Sequence, residues 1–513
     1  MPAAAPAANR EEPGAGADST MRKHPTRKRA RGFALLIVLV LTATLAYFLL
    51  GRLTASTPSL ERQKRTGEAL ARAKEALIAY AASSAFTDTA NALNGRFGYL
   101  PCPEDTGAVP EGSEQSSVTC GTTAVSKGGR LPWRALGLPP PVDGASECLW
   151  YAVSGRYKRT FVLPSATSPG GNPLLDQDGY LTDGQIEIFN AQGARLAGVP
   201  GNRVVAVVFA PGPPQRNQTH SNSSGRVLCP GNFTASNYLD ADTSGSPIID
   251  PDTGAALTID NSVVVAAANG ITHLLAGEDP ERGINDRLIY ITMDEIYAAM
   301  LPLFKDLTRR AASCVGYFAQ RNNSYPADRR IPWASPVGIP SYTNDCDYND
   351  NSGTYAGRLS NRVGDSASAI PSNWFVSASC GDPRNQLLAL DTPCPGWAPY
   401  IPLWQRWKSL FFYHVAPSYA PGGPIPSDCG TCLQVNGAGN YAAIVLFAGR
   451  VLAGQENRNS NRDDPDEYLE GRNENNIDDS GGSRRNYETR PMSAGFNDVL
   501  YCLAPDLSVA PCP

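Results

Sequence analysis

The stretches NRVVAVVFAPG (residues 202–212) and NYAAIVLFAGR (residues 440–450) are the best strand candidates in the chain. Each begins with Asn, continues through β-branched and aliphatic residues to Phe-Ala, and ends near a Gly. Such a run, bounded by turn residues, is typical of a buried β-strand. Two similar strands so far apart in one chain predict that a structural unit occurs twice.

Five further pairs of segments recur in the same order around these strands. In the first half they are NGRFGYLPCPE, GGRLPWRALGLP, ECLWYAVSGRY, SNYLDAD and NDRLIYITMDE. Their counterparts are RNNSYPADRR, DRRIPWASPVG, SLFFYHVAPSY, DEYLEGR and NDVLYCLAPDL. The ordered matches predict a tandem duplication with insertions in loops. Because Arg130 precedes Trp133 as Arg330 precedes Trp333, we expect each Arg to stack on or bond beside its own Trp.

A helix is predicted ahead of each set of strands. Apolar residues such as Leu70, Ala73 and Leu77 recur at helical spacing after Pro58, and a second helical pattern runs from Asp294 to Arg321. The 48 Gly and 43 Pro favour a loop-rich, β-rich remainder. We therefore predict an α+β fold, in which an N-terminal transmembrane and amphipathic helix precedes two tandem helix-plus-antiparallel-sheet domains.

The segment RKRARGFALLIVLV (residues 27–40) predicts a membrane anchor. From Phe33 to Leu50 the chain has 18 residues without a charge, about 27 Å of helix, which is long enough to span a bilayer. The run ends without a small-x-small cleavage site, so it is expected to stay in the mature chain. The basic residues before it hold the N-terminus in the cytoplasm.

The Gly32–Phe33 junction resembles that of the type IV pilin and type II secretion pseudopilin superfamily. In that family a basic leader ends in Gly, a prepilin peptidase cuts after it, and the new N-terminal Phe is methylated. The resemblance implies processing between Gly32 and Phe33. The fifth mature residue, usually a glutamate, is Ile37. In lacking this carboxylate the chain resembles tip-located minor pilins and the large K-type minor pseudopilin. The resemblance to this superfamily also implies a pilin-like architecture for both tandem domains.

The resulting organisation has five parts. We predict a basic leader at residues 1–32 (with a possible start at Met21), a transmembrane helix at 33–51 and an amphipathic helix at 52–86. Two periplasmic domain copies follow, at 87–296 and 297–513. The bulk of the chain is then expected in the periplasm or on the cell surface, on a single-pass anchor in the bacterial inner membrane.

Cysteine and charge content agree with this placement. All twelve Cys lie beyond the anchor, which suits an oxidising compartment, and the short-range disulfide candidates are Cys102 with Cys120 and Cys502 with Cys512. Residues 1–32 hold 7 of the 44 basic and 3 of the 49 acidic side chains, which leaves a net charge of −9 for the rest. A negative outer region does not favour nucleic-acid binding.

Catalytic motifs are not found in the sequence, and we predict a protein that is not an enzyme. Carboxylate clusters beside Gly turns suit calcium, which prefers several oxygen ligands, although Asp-rich loops are also common as solvated turns. Some pseudopilins carry calcium in their loops. Calcium is therefore the one cofactor considered, with the ligand candidates Asp176, Asp178, Asp183, Asp240 and Asp242.

Two functions remain open from the sequence. The first is a minor pilin-like or pseudopilin-like structural subunit that assembles at, or primes, the tip of a type IV pilus or type II secretion pseudopilus. Its expected partners are the inner membrane, the prepilin peptidase and other pilins or pseudopilins. The alternative is an uncleaved, single-pass anchored periplasmic binding protein or an unrecognised hydrolase, whose ligand would bind between the two copies.

Overall fold

The structure is a computed structural model of the full chain. It describes residues 42, 59–83, 98–115, 120–121, 125–158, 183–215, 218–222, 225–257, 259–262, 270–279, 281–322, 327–364, 387–388, 394–421, 429–455, 457–458 and 460–513. The chain divides into the units Met1–Glu61 and Arg62–Pro513. The predicted leader and nearly all of the predicted transmembrane helix lie outside the described residues, and among those described no helix is long and apolar enough to cross a membrane.

The described residues combine helices with short strands. The helices are α1 (residues 59–83), α2 (Met293–Asn322), α3 (Ile401–Trp407) and α4 (Arg472–Asp478). The strands are β1 (Lys127–Arg130), β2 (Trp150–Val153), β3 (Ile186–Phe189), β4 (Arg195–Ala197), β5 (Ala206–Ala210), β6 (Ile248–Ile249), β7 (Ala256–Leu257), β8 (Thr272–Leu275), β9 (Arg287–Ile291), β10 (Ala356–Arg358), β11 (Phe411–Val415), β12 (Leu433–Val435), β13 (Ala438–Tyr441), β14 (Ala443–Phe447), β15 (Asn486–Tyr487), β16 (Val499–Leu503) and β17 (Val509–Pro511). The α+β class predicted from the sequence is confirmed.

Two antiparallel sheets have the same strand order along the chain. The first sheet has the order β1-β2-β5-β9, and the second has β10-β11-β14-β16 with β17 added at its outer edge. Each is accompanied by a small mixed sheet in which one strand pairs antiparallel with the next strand and parallel with a later one. These small sheets are β4-β3-β8 and β13-β12-β15.

Backbone hydrogen bonds fix which residues occupy equivalent positions. The amide of Leu100 donates to the carbonyl of Tyr157 (2.8 Å), and the amide of Ile331 donates to the carbonyl of Tyr419 (2.8 Å). The segment containing RIPW in the second half therefore corresponds to YLPC in the first half. The predicted match of RIPW with RLPW is wrong. The two segments have similar sequences, but they lie at different positions relative to their sheets.

The predicted match between β5 and β14 is also shifted by one residue. Trp150 pairs with Phe209 in the first sheet, whereas Phe412 pairs with Leu446 in the second. Because Trp150 and Phe412 occupy equivalent places beside β1 and β10, Phe209 corresponds to Leu446 and not to the next residue, as aligning the two Phe-Ala pairs suggested. A shift of one residue moves side chains to the other face of a strand.

Each sheet is covered by a helix that buries its apolar side. Leu70, Ala73 and Leu77 of α1 are buried in the same hydrophobic core as Tyr151 and Val153 of β2. This follows from the helical spacing of the small and apolar residues on one face. The predicted amphipathic helix is thus present, from residue 59 to residue 83.

The helix α2 covers the second sheet. Its Phe304 is fully buried and stacks on Phe447 of β14, with 4.9 Å between ring centroids. The helix begins at a capping box, in which the Thr292 amide donates to the Glu295 carboxylate (3.0 Å). The predicted domain boundary between residues 296 and 297 falls inside this helix, and the boundary stays a prediction.

Disulfide bonds join cysteines of the same half of the chain. Both predicted short-range pairs, Cys102–Cys120 and Cys502–Cys512, are present. The remaining bonds between described cysteines are Cys148–Cys229, Cys314–Cys394 and Cys429–Cys432.

Candidate functional site

A buried polar group, here called carboxyl cluster 1, joins four separate segments of the first half. It consists of Gln218, Asp240, Asn261 and Asp286. Asp240 Oδ2 accepts hydrogen bonds from the amides of Asn285 (2.6 Å) and Asp286 (3.2 Å), at the start of β9. In return, Asp286 Oδ2 accepts from the Asp240 amide (2.8 Å) and Asn261 Nδ2 (3.0 Å). Gln218 Nε2 donates to the other oxygen of Asp240 (2.8 Å).

The second half contains the same arrangement, carboxyl cluster 2, made of Gln455, Glu470, Asn473 and Asp498. Glu470 Oε2 accepts from the amides of Asn497 (3.0 Å) and Asp498 (3.2 Å), just before β16. Asp498 Oδ2 accepts from the Glu470 amide (3.2 Å) and Asn473 Nδ2 (2.9 Å). Gln455 Nε2 donates to Glu470 Oε1 (3.0 Å). Every bond of cluster 1 therefore has a counterpart in cluster 2.

The Asn of each cluster also ties it to the small mixed sheet. Asn261 donates to the carbonyl of Leu275 (3.1 Å) and accepts from its amide (2.9 Å), at the end of β8. Asn473 makes the same two bonds with Glu488 (3.1 and 3.0 Å), just after β15. Cluster 1 therefore links β9 of the first main sheet to β8 of its small sheet, and cluster 2 links β16 of the second main sheet to β15.

Burial raises the pKa of Asp240 and Asp286 in cluster 1 and of Asp498 in cluster 2. Asp286 is fully buried, and burial, followed by the charge of Asp240, raises the pKa of its carboxyl well above the ordinary value. In cluster 2, burial and the charge of Glu470 do the same to the pKa of Asp498. The Asp260 carboxylate adds to the effect on the pKa of Asp286. A carboxyl held away from water favours its neutral form.

One oxygen in each cluster is left without a partner among the described residues. These atoms are Oδ1 of Asp286 and Oδ1 of Asp498, both buried. An ionised carboxylate would place negative charge on this buried, unpartnered atom, whereas the neutral acid would not. Gln218 is half-buried and the other seven side chains are buried, so the two clusters mainly hold backbone groups of their own half of the chain.

A buried arginine lies close to each cluster. Arg130 donates to the carbonyl of Asn232 (2.9 Å), and its guanidinium lies 5.9 Å from the Trp150 ring and 5.5 Å from the Tyr238 ring. Tyr238 comes two residues before Asp240 of cluster 1. Arg130 therefore does not stack on Trp133 as predicted, because its strand position faces the loop that carries Tyr238.

The structural counterpart of Arg130 is Arg358, and not Arg330 as predicted. The Arg358 guanidinium lies 4.9 Å from each of the Phe412 and Tyr468 rings, and it is fully buried. Arg330 is instead half-buried and forms an ion pair with Asp328. Cationic side chains between aromatic rings gain cation–π attraction and carbonyl hydrogen bonds that offset their desolvation.

The Gly before each of these arginines is required by a close backbone approach. A Cβ on Gly129 would lie 2.7 Å from the carbonyl oxygen of Glu104, and one on Gly357 would lie 2.1 Å from that of Ser335. The Gly-Arg pair is therefore a local signature of the same strand in both halves.

The predicted calcium ligands are distributed over different environments. Asp176 and Asp178 lie outside the described residues. Asp183 pairs with Arg203 (2.7 Å) and accepts from the Gly201 amide (3.0 Å), and Asp242 forms an ion pair with Arg282. Asp240 belongs to carboxyl cluster 1. Within the described ranges no group of three or more His, Cys, Asp or Glu is placed to hold a metal, and calcium stays a prediction.

Sequence reasoning missed Asp286 and Asp498 as members of a site. Both lie in the recurring Asn-Asp pair at the start of NDRLIY and NDVLY, which is the signal that could have found them. The predicted processing residues Gly32 and Phe33 lie outside the described residues. Comparison of the chain with protein-family models, curated proteins and solved structures finds no match.

Proposed function

We propose that this chain is a minor pilin-like or pseudopilin-like structural subunit of the bacterial inner membrane. In this proposal the leader is removed after Gly32, the apolar segment 33–51 anchors the chain, and two tandem pilin-like domains extend outside the membrane. The subunit assembles at, or primes, the tip of a type IV pilus or type II secretion pseudopilus.

The observation that carries the proposal is the helix packed on an antiparallel sheet. The helix α1 follows the apolar segment and buries Leu70, Ala73 and Leu77 in the core it shares with β2. The resemblance at Gly32–Phe33 implies this architecture, in which an N-terminal helix continues from the anchor onto a sheet.

The matched clusters support the duplication. Two carboxyl clusters with the same bonds, two buried arginines with aromatic neighbours at equivalent positions, and two sheets with the same order are hard to obtain from unrelated domains. The first cluster has Asp240 where the second has Glu470. The hydrogen-bonding pattern is therefore more similar between the two clusters than the residue types are. A subunit that carries two such domains on one helix is bulky, which suits a terminal position in a filament better than a closely packed shaft.

The experiment is analysis of the N-terminus of the full chain extracted from membranes, expressed with and without the prepilin peptidase. Intact mass and N-terminal peptides should show a methylated Phe33 only when the peptidase is present. Gly32→Leu should retain the leader. Gly51→Leu, which changes the glycine at the other end of the apolar segment, should be processed as the wild type is.

An intact leader in both strains would contradict the proposal. The alternative of an uncleaved, anchored periplasmic binding protein or hydrolase would then be tested by ligand screening of the same extracted chain.

A further inference from the structure

The outer edge of the second sheet carries an extra strand. The strand β17 pairs antiparallel with β16, with Cys502 opposite Ala510 and Leu503 opposite Val509. The amide of Cys512 donates to the carbonyl of Leu500 (3.2 Å), and the Cys502–Cys512 disulfide fastens the strand in place. Under this cover the side chains of β16 are at most 7% exposed.

The equivalent edge of the first sheet has no such strand. Leu288 of β9 corresponds to Leu500 of β16, because they pair with Phe209 and Leu446 at the same position of the two sheets. Among the described residues no strand pairs with the outer edge of β9. The chain cannot supply one from the residues that directly follow, because Thr292 caps α2 immediately after β9.

The edge is also more accessible than its counterpart. Leu288, Ile289 and Tyr290 are half-buried, whereas the equivalent residues of β16 are buried. In β16 the backbone groups of residues 500 and 502 face β17, so by equivalence those of Leu288 and Tyr290 point outward from the sheet. The four residues from Leu288 to Ile291 carry no charge, and unpaired apolar edges of this kind accept further strands.

We propose that the outer edge of β9 binds an extended strand from a different polypeptide, in the antiparallel register that β17 adopts on β16. The strand β17 indicates the chemistry of that partner strand: small and apolar side chains, as in its Val509-Ala510-Pro511, with no charge in the middle. Main-chain hydrogen bonds supply the affinity in such strand addition, and side chains on the two faces supply the selectivity. If the proposed function holds, the polypeptide that supplies this strand is a neighbouring subunit of the filament.

The test uses a peptide copied from β17. Fluorescein-labelled DLSVAPSP, which has the sequence of residues 506–513 with Ser in place of Cys512, is titrated with the purified full chain in detergent, and its anisotropy is measured. We expect saturable binding. Two peptides, each methylated at one backbone amide, provide a matched comparison. In β17 the amide of Ala510 points toward β16, whereas the amide of Val509 points away from it.

Methylating the amide of the residue equivalent to Ala510 should weaken binding at least about tenfold, because it removes a hydrogen bond and introduces a clash. Methylating the residue equivalent to Val509 should change it less than about twofold. These peptides act on the wild-type protein, so their result does not depend on how a variant folds. Absence of binding by the unmethylated peptide, or equal effects of the two methyl groups, would overturn the proposal.

Two protein variants locate the binding. Leu288→Lys should abolish it by placing a charge on the β9 edge, and Leu196→Lys, on the edge strand β4, should leave it unchanged. The opposite result would place the peptide on β4 and overturn the proposal. Self-association of the wild type that Leu288→Lys abolishes would also overturn it, because the strand would then come from a second copy. None of these readings requires cleavage at Gly32, so they can fail while the proposed function stands.

Discussion

The two carboxyl clusters make the stability of the folded chain depend on pH, and two substitutions should remove that dependence. In an unfolded chain an aspartate titrates near about pH 3.9, whereas burial raises the pKa of Asp286 and Asp498 well above this value. Between these limits the folded state keeps protons that the unfolded state has released. Stability from these groups is therefore complete below about pH 4 and is lost as the pH rises toward the raised folded pKa.

The size of the effect follows from the number of protons retained. Each retained proton gives a slope of about 1.4 kcal/mol per pH unit, so one proton per cluster gives about 2.8 kcal/mol per pH unit. Asp286→Asn and Asp498→Asn should each remove one of these slopes. The amide oxygen can accept the two bonds that Oδ2 accepts, and the amide NH₂ occupies the place of the unpartnered Oδ1.

The assay is urea unfolding of the full chain in detergent, without reductant, at several pH values between 4 and 7.5. The difference between the wild type and the double variant isolates the two clusters, because other titrating groups are common to both proteins. We expect the double variant to be more stable than the wild type near neutral pH and to lose that advantage near pH 4. Asp463→Asn, which changes an exposed carboxyl, is the control.

Parallel pH profiles for the wild type and the double variant would contradict this prediction. So would a double variant that is equally destabilised at every pH, because that result would mean that the carboxyls stabilise the fold as anions.

Three further changes test other parts of the structure. His414→Gln should reduce the loss of stability on acidification, because burial lowers the pKa of His414 to about 3 and the wild type therefore loses about 2 kcal/mol between pH 6.5 and 5; equal losses in urea unfolding would contradict this. Gly357→Ala should cost about 2 kcal/mol by overpacking a strand, and Gly495→Ala, in open space, should cost less than about 0.5 kcal/mol, as thermal melting can measure. Replacing Cys502 and Cys512 by Ser should lower the free energy of unfolding by roughly 2.5 kcal/mol, because the loop that the bond closes is short; an unchanged urea midpoint would show that β17 holds without it.

The sequence predicted the elements whose signal is local. The helical spacing of Leu70, Ala73 and Leu77 indicated α1, and the pattern from Asp294 to Arg321 indicated α2 within a residue at each end. The ordered recurrence of segments also matched β2 with β11, β5 with β14 and β9 with β16. These features depend on periodicity and order along the chain, which a single sequence contains.

The sequence did not predict which residues of the two halves are equivalent. RIPW was matched with RLPW, although the structure aligns it with YLPC through hydroxyl bonds from Tyr151 to the carbonyl of Pro101 (3.2 Å) and from Tyr413 to that of Pro332 (3.0 Å). Such bonds use backbone atoms, which every residue type provides. The residue types therefore carry little information about where these hydrogen bonds form.

The carboxyl clusters were not predicted, for a different reason. Their members come from four segments that only the folded sheets bring together, and one position differs in side-chain length between Asp240 and Glu470. Asp240 was identified as a possible calcium ligand because it lies in an acidic loop, yet its oxygens bind backbone amides and Gln218. Local composition cannot distinguish a ligand from a carboxylate that caps a strand.

If the chain is exported as we propose, the pairing of cysteines within each half has a consequence for how it matures. Cys148 and Cys229 are 81 residues apart, and both reach an oxidising compartment before Cys314 of α2 does. The described bonds of the first half can therefore close while the second half is still being translocated. In the second half, by contrast, the disulfide-bonded Cys346 lies between the partners Cys314 and Cys394, so pairing strictly in the order of emergence would not give the native bond there.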